Sequence, residues 1–260
     1  MIDNFKEFFR FRELLFVLTK REIKVRYKQT SLGASWAIIQ PFSMMLIFTL
    51  IFGFFLKVDS GNIPYPIFSY SALLPWTFFA TSFSLGSLSI INSSNLITKI
   101  YFPREILPFS NLGAAFLDFL VAGVFFFLLM LFYKVPLSFT LLFLVPIVLV
   151  QVIFTAAVIL FASAIVVIWR DVKFVIPLLI QLWMFATPVI YPVSKVPRFL
   201  QFIYFLDPMA GIIENFRSVS ILGKFPDWRH LLMATVISAI LFFLSYMFFK
   251  QKEKRFADII

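Results

Sequence analysis

The chain has 260 residues, of which 61% are hydrophobic, 20% aromatic and 14% charged, with a formal charge of +10, one histidine and no cysteine. Soluble domains are about 45–50% apolar and about 25% charged, so this chain lacks the polar surface to wrap a water-soluble core, and the disordered, collagen-like and coiled-coil classes fall on the same numbers. The missing cysteines exclude disulfides, thiolate metal sites and a cysteine nucleophile, and a single His230 excludes a histidine-cluster zinc centre and argues against a histidine-based triad; an integral membrane protein remains.

The first predicted element is an amphipathic segment within residues 1–34. Ile2, Phe5, Phe8, Phe9 and Phe16 share one helical stripe and face away from Asp3, Lys6, Arg10 and Glu13, with Phe11 and Arg12 breaking the pattern. Such a helix lies on a membrane surface. The first 30 residues are charged throughout and lack the apolar core of a cleavable signal. The segment closes on a polar cluster, Arg26, Tyr27, Lys28, Gln29, Thr30 and Ser31. Arg26 and Lys28 suit a phosphate, which a guanidinium can hold through two parallel bonds, and equally suit plain anchoring to anionic lipid.

Six charge-poor stretches follow, at 35–56, 66–91, 112–133, 135–168, 174–191 and 231–249. Each is near or above the roughly 20 residues that cross a bilayer core as helix. The predicted fold is therefore all-α and polytopic with six spans, in one domain over 1–260: the amphipathic segment 1–34, the bundle 35–249 and a basic tail 250–260. Pro41, Pro75, Pro146, Pro177 and Pro188 are each expected to remove a helix hydrogen bond and bend a span. Asp118 is the one ionisable residue inside a span; it reads as a proton relay, or as an acid facing a polar bundle interior or a second copy.

Between spans two and three, residues 92–108 are punctuated by Pro103 and Pro108, and Asn95 is placed to N-cap a short helix. Lys99, Arg104 and Glu105 carry charge, and Ile100, Tyr101 and Phe102 offer apolar contact. This is the pattern of an interface anchor and also of a loop lying on headgroups. Arg170, Asp171 and Lys173 form a shorter second contact candidate, although Trp169-Arg170 also suits a simple interfacial anchor. Between spans five and six, two short apolar stretches at 199–206 and 209–222 flank Asp207-Pro208, a helix stop and restart. They read as two short re-entrant helices on the outer side, fitting a gate or an interfacial cap.

Six spans place both termini on one side, and that side holds sixteen of the 23 Lys and Arg residues. The bias makes both termini cytoplasmic and explains the net charge without nucleic acid. No GxxxxGK[ST], HExxH, GxSxG or calcium-loop pattern is present. The chain is therefore expected to bind no cofactor and no metal and to have no catalytic residues. An intramembrane lipid-modifying enzyme would need clustered acids or histidines, which Asp118, Asp207, Glu214 and His230 do not form; a passive scaffold would leave the 92–108 segment without a purpose. Uphill transport would draw on a partner or an ion gradient.

Three stretches carry a family resemblance. The first is Val25-Arg26-Tyr27-Lys28-Gln29-Thr30-Ser31-Leu32-Gly33 with Trp36 and Gln40-Pro41. The second is Leu74-Pro75-Trp76-Thr77-Phe78-Phe79 with Asn92, Asn95-Leu96-Ile97 and Lys99-Ile100-Tyr101-Phe102-Pro103-Arg104-Glu105-Ile106-Leu107-Pro108. The third is Thr187-Pro188-Val189-Ile190-Tyr191-Pro192 with Val196-Pro197, Asp207-Pro208-Met209-Ala210 and Arg217. With Arg170-Asp171, the pattern resembles the membrane subunit of type-2 ABC exporters for polysaccharides, a group that includes O-antigen, teichoic-acid and capsule permeases. Asp207 departs from it, since the family often has Asn there. The resemblance implies a homodimer in the bacterial inner membrane, paired with two copies of a separate ABC ATPase subunit that binds ATP and Mg. Its cargo would be a polysaccharide on an undecaprenyl diphosphate. It also implies that Lys99 to Glu105, with Arg170 and Asp171, couple to that ATPase. On this reading Gln40, Trp76, Gln181, Trp183 and Tyr191 are candidate channel residues, because flat rings and hydroxyl partners let a polymer slide without deep binding. Arg26, Lys28 and, on the outer side, Arg217 are candidates for the lipid diphosphate.

Overall fold

The computed structural model describes residues 10–28, 30–61 and 63–259. Ile2, Phe5, Phe8 and Phe9 of the amphipathic stripe, and Gln29, lie outside the described residues. The described chain is helical: α1 (Arg12–Tyr27), α2 (Trp36–Phe48), α3 (Tyr65–Asn92), α4 (Ser94–Ile97), α5 (Ile106–Phe132), α6 (Leu144–Ile168), α7 (Val172–Ala186), α8 (Arg198–Tyr204), α9 (Pro208–Ser220), α10 (Trp228–Glu253) and α11 (Phe256–Ile259). Short 3₁₀ turns, Gly33–Ser35 and Phe139–Phe143, lead into α2 and α6, and a π-helical stretch, Thr49–Phe55, continues α2.

Five continuous helices are long and apolar enough to cross a membrane: Gly33–Phe55, Tyr65–Asn92, Ile106–Phe132, Phe139–Ile168 and Trp228–Glu253. They match the expected spans one to four and six. The expected fifth span is α7, which has only 15 residues. It stops at Ala186 because Pro188 drives Thr187 into extended backbone, with ψ 160°. The starts of three spans also move. The third begins at Ile106 instead of 112, since Pro108 sits in the first turn, where its missing N–H leaves no gap. The fourth begins at Phe139, where the Ser138 hydroxyl accepts from the Thr140 N–H, and the sixth at Trp228, where Asp227 accepts from the Arg229 N–H. Pro41, Pro75 and Pro177 are interior to their helices as expected. Pro146 instead lies in the first turn of α6, where proline is tolerated, and Pro188 lies beyond the end of α7.

Helix α3 is the hub. It packs against α2, α5, α6, α7 and α9 and buries residues on every face, from Ile67 and Tyr70 to Phe79 and Ile90. Phe79 stacks on Phe154 of α6 at 5.6 Å and meets the Trp183 edge at 5.0 Å. Gly86 brings α3 close to α6: a Cβ there would lie 3.2 Å from Ile159 Cγ2. Small residues at such crossings give apolar helices their grip in lipid. The end of the bundle where α1 meets α11 is called the terminal end below, and the opposite one the far end. A second buried cluster at the terminal end joins Leu18, Ile97, Phe102, Ile106, Tyr246, Phe249 and Phe256.

The two short helices between α7 and α10 differ from each other. Helix α9 is buried along most of its length, against α3, α6 and α10. Helix α8 exposes Phe199 and Phe202. At the far end, Lys57 and Lys134 take left-handed backbone, at φ 48° and 54°, just after α2's π-helical continuation and α5.

Candidate functional site

Several polar groups of the spanning region meet in one cleft. Helix α1 lies against α5, its approach set by Gly113, where a Cβ would sit 3.1 Å from Thr19 Cγ2. This brings Arg26 and Tyr27, at the end of α1, onto Asp118 in the middle of α5. The Arg26 guanidinium forms an ion pair with the carboxylate, and the Tyr27 hydroxyl donates to its other oxygen. Both charged side chains are about one-fifth exposed, so the pair is shielded but open on one side. It walls a cleft of about 360 Å³ completed by Trp36 and Gln40 of α2 and Thr77 and Thr81 of α3. Residues 26, 40 and 118, singled out for three separate reasons, thus share one chamber. Lys28 is exposed beyond it.

The other channel candidates are dispersed. Trp76 is buried in the core against Phe79. Trp183 is wedged between Phe79 and Phe154, and its indole N–H donates to Asp207 at 2.9 Å. Gln181 is exposed on α7. The Tyr191 hydroxyl donates to the Phe185 carbonyl at 3.1 Å and accepts from Tyr204 at 3.4 Å. None of the four lines the cleft.

At the terminal end the 92–108 segment divides by exposure. Lys99, Ile100 and Tyr101 project outward, Tyr101 with 80% exposure. Phe102 is buried in the second cluster. Arg104 and Glu105 turn inward onto the end of α10: the Arg104 N–H donates to Glu253 Oε1 at 2.8 Å and its guanidinium to the Glu253 carbonyl. Glu105 is fully buried, 2.7 Å from Lys250 Nζ, with the Tyr246 hydroxyl donating at 3.5 Å. Lys250 also holds Glu253 at 2.9 Å. Burial and the nearby Glu253 carboxylate push the Glu105 carboxyl up from its ordinary value, against the pull of Lys250. The short helix is a single turn with Asn95 inside it; Ser93 holds the cap position and makes no side-chain cap bond, so the Asn95 cap is corrected. Arg170 and Asp171 lie exposed in the tight turn between α6 and α7.

At the far end Arg217 is 2% exposed. Its guanidinium donates to the Pro188 carbonyl at 2.7 Å, pairs with Glu214 at 3.2 Å and lies over the Phe68 ring at 3.9 Å. It grips the irregular loop after α7 and does not bond the carbonyls at its own helix end. Nearby, Asp207 caps α9 through the Met209 N–H, and burial raises its carboxyl to about 6. Lys250, Glu253 and Phe68 escaped the sequence reading. One signal was available: Glu105 is an acid at the mouth of an apolar helix, and a buried acid needs a cation. Among the described residues no three His, Asp or Glu side chains converge as a metal-holding group.

A family model described as ABC-2 type transporter matches residues 13–221. Over 263 residues the chain is 31% identical to the O-antigen export system permease protein RfbA of Myxococcus xanthus, covering 100% of both chains. It is 28% identical over 249 residues to a protein of the same name from Klebsiella pneumoniae, covering 95% of each. The polysialic acid transport protein KpsM of Escherichia coli is 22% identical over 248 residues, covering 90% of this chain and 91% of that one. With a helical bundle of membrane-spanning length and a match over most of its residues, the chain belongs to the ABC-2 type transporter family.

Proposed function

We propose that this chain is the membrane permease of an ATP-driven exporter that carries a lipid-linked polysaccharide, O-antigen foremost, out of the cytoplasm. The observation that carries this reading is the end-to-end likeness to an O-antigen export permease, 31% over the whole chain. Capsule export is the second reading, favoured by the weaker likeness to the polysialic acid transport protein; teichoic-acid export stands beside it, and an intramembrane lipid-modifying enzyme is more distant.

The permease works as a homodimer in the bacterial inner membrane, both termini in the cytoplasm, with two ABC ATPase subunits supplying ATP and Mg chemistry. The excess of Lys and Arg at the terminal end supports that orientation. Lys99, Ile100 and Tyr101, with Arg170 and Asp171, form the surface offered to the ATPase. The cleft at Arg26 receives the diphosphate headgroup. There Arg26 exchanges part of its ion pair with Asp118 for phosphate oxygens, while Gln40, Thr77 and Thr81 offer hydrogen bonds to sugar hydroxyls. A cation already neutralised by a nearby acid binds an arriving anion weakly enough to release it, which a moving cargo requires.

Deleting the chromosomal copy and supplying this chain on a plasmid tests the reading in a host whose surface polymer is measured by immunoblot. Restored surface polymer, lost again in Arg26→Ala, is the expected result. Lipid-linked polymer that stays inside the cell despite full membrane expression of the chain would refute it.

A further inference from the structure

The segment offered to the motor runs directly into α5, yet its strongest polar contacts go to α10. Within four residues of the exposed Tyr101, Arg104 and Glu105 are fastened to Lys250 and Glu253 by a buried carboxylate on the ammonium, a backbone N–H and a guanidinium. Breaking one partner of such a buried set leaves an uncompensated charge, so segment and helix end favour moving together. Helix α10 is also the long helix of the bundle that lacks kink-forming residues. It has 26 residues, about 39 Å at 1.5 Å per residue. Its sequence contains neither proline nor glycine, whereas every other membrane-length helix, and α7, holds at least one. Kinks arise at such residues.

The far end of α10 is equally tied. Gly211 of α9 sits so close that a Cβ would be 3.1 Å from the His230 carbonyl oxygen and 3.3 Å from Ala234 Cβ. The Asp227 N–H donates to Asn215 of α9 at 2.7 Å. Helix α9 in turn holds the loop after α7 through Arg217 and the Pro188 carbonyl.

We propose that α10 is the rod that carries the motor's push to the far-end loop, and that Glu105 and Arg104 are the positioning residues joining the docking segment to it. This rests on the permease reading above. The linkage predicts that segment and rod travel as one body through the transport cycle, so a covalent tie between them must be harmless.

The absence of cysteine makes the test clean. Arg104→Cys and Glu253→Cys are introduced together, and the permease is reconstituted in phospholipid vesicles with its ATPase subunit. Polymer moved per ATP hydrolysed is measured before and after joining the thiols with a short bifunctional thiosulfonate. The expected result is a several-fold loss of polymer per ATP in the unjoined variant at near-normal hydrolysis, and recovery on joining. Joining that blocks transport, or an unjoined variant that transports as wild type does, overturns the proposal. Should the double variant fail to assemble, Glu105→Gln supplies the second arm: retained ATPase binding with reduced polymer per ATP is expected, and unchanged polymer per ATP refutes it. A wild-type complex that moves no polymer on ATP overturns the permease reading and this inference with it, an outcome visible before any thiol is joined.

Discussion

The two polar junctions of the bundle solve opposite problems by different means. At the terminal end the most deeply buried charge is an anion, Glu105, and one cation of α10 closes on it: Lys250 bridges Glu105 and Glu253, while Arg104, the neighbour of Glu105, reaches across to the end of α10. At the far end the buried charge is a cation, Arg217, satisfied mainly by groups fixed in the fold, a backbone carbonyl and the face of Phe68, with half-shielded Glu214 contributing the only formal counter-charge among the described residues. Lysine is a compact charge on a flexible stem; the flat guanidinium stacks and donates along fixed directions. A junction of linked charges keeps part of its pairing when one member is lost, since Lys250 and Glu253 still meet, though the tie to the neighbouring segment loosens. One built on a single stacked cation does not.

That contrast is sharpest under substitution, and Arg217→Met is expected to have the largest effect. It leaves the Pro188 carbonyl without its donor and Glu214 without its partner, at about 3–4 kcal/mol, read as a fall in thermal midpoint in detergent. Arg217→Lys is expected to recover little, since an ammonium cannot both stack and fork. Glu105→Ala should cost less, about 2 kcal/mol, because Glu253 remains to hold Lys250; a loss equal to that of Arg217→Met would erase the distinction. Arg26→Met, at the more open cleft, should cost about 1 kcal/mol and leave Asp118 accessible to carbodiimide labelling.

Asp207→Asn is the smallest effect and, above pH 6, runs in the stabilising direction. Folding raises this carboxyl to about 6, above the ordinary aspartate value of about 4, so the folded state favours the protonated form. Stability from this group is highest below pH 4 and falls as pH rises toward 6. Asparagine escapes that penalty but has a single acceptor oxygen, so capping the Met209 N–H turns its NH2 toward the Trp183 N–H and gives up that bond. Relief of the burial penalty is thus largely offset by the lost Trp183 bond, so the variant should gain less than about 1 kcal/mol above pH 6 and be slightly less stable than wild type below pH 4, read by thermal midpoints at both ends.

The spans were legible because length and apolarity are local quantities. Their starts were less so, since Pro108 is indistinguishable by composition from a helix breaker until its place in the first turn is known. The cleft was half legible. Arg26 and Asp118 each stand out as charges near or within apolar sequence, but 92 residues separate them and only the packing of α1 at Gly113 brings them together. Trp76 misled because α3 is apolar on all sides, and nothing in such a sequence says which face meets neighbours and which meets a channel. Glu105 read as a docking charge for the same reason: its cation lies 145 residues away.

The two lysines in left-handed backbone have a consequence of their own. Glycine would sit at either position without strain, whereas a side chain there costs about 1 kcal/mol. Each lysine stands just past the C-terminal, negative end of its span, the favourable place for a cation, and does so after both the first and the third span. Drawing either helix inward would carry its lysine toward hydrocarbon, at a cost that rises with depth to about 2.5–3.5 kcal/mol at the centre of the layer. Vertical travel of these two helices in that direction is therefore costlier than tilt or rotation.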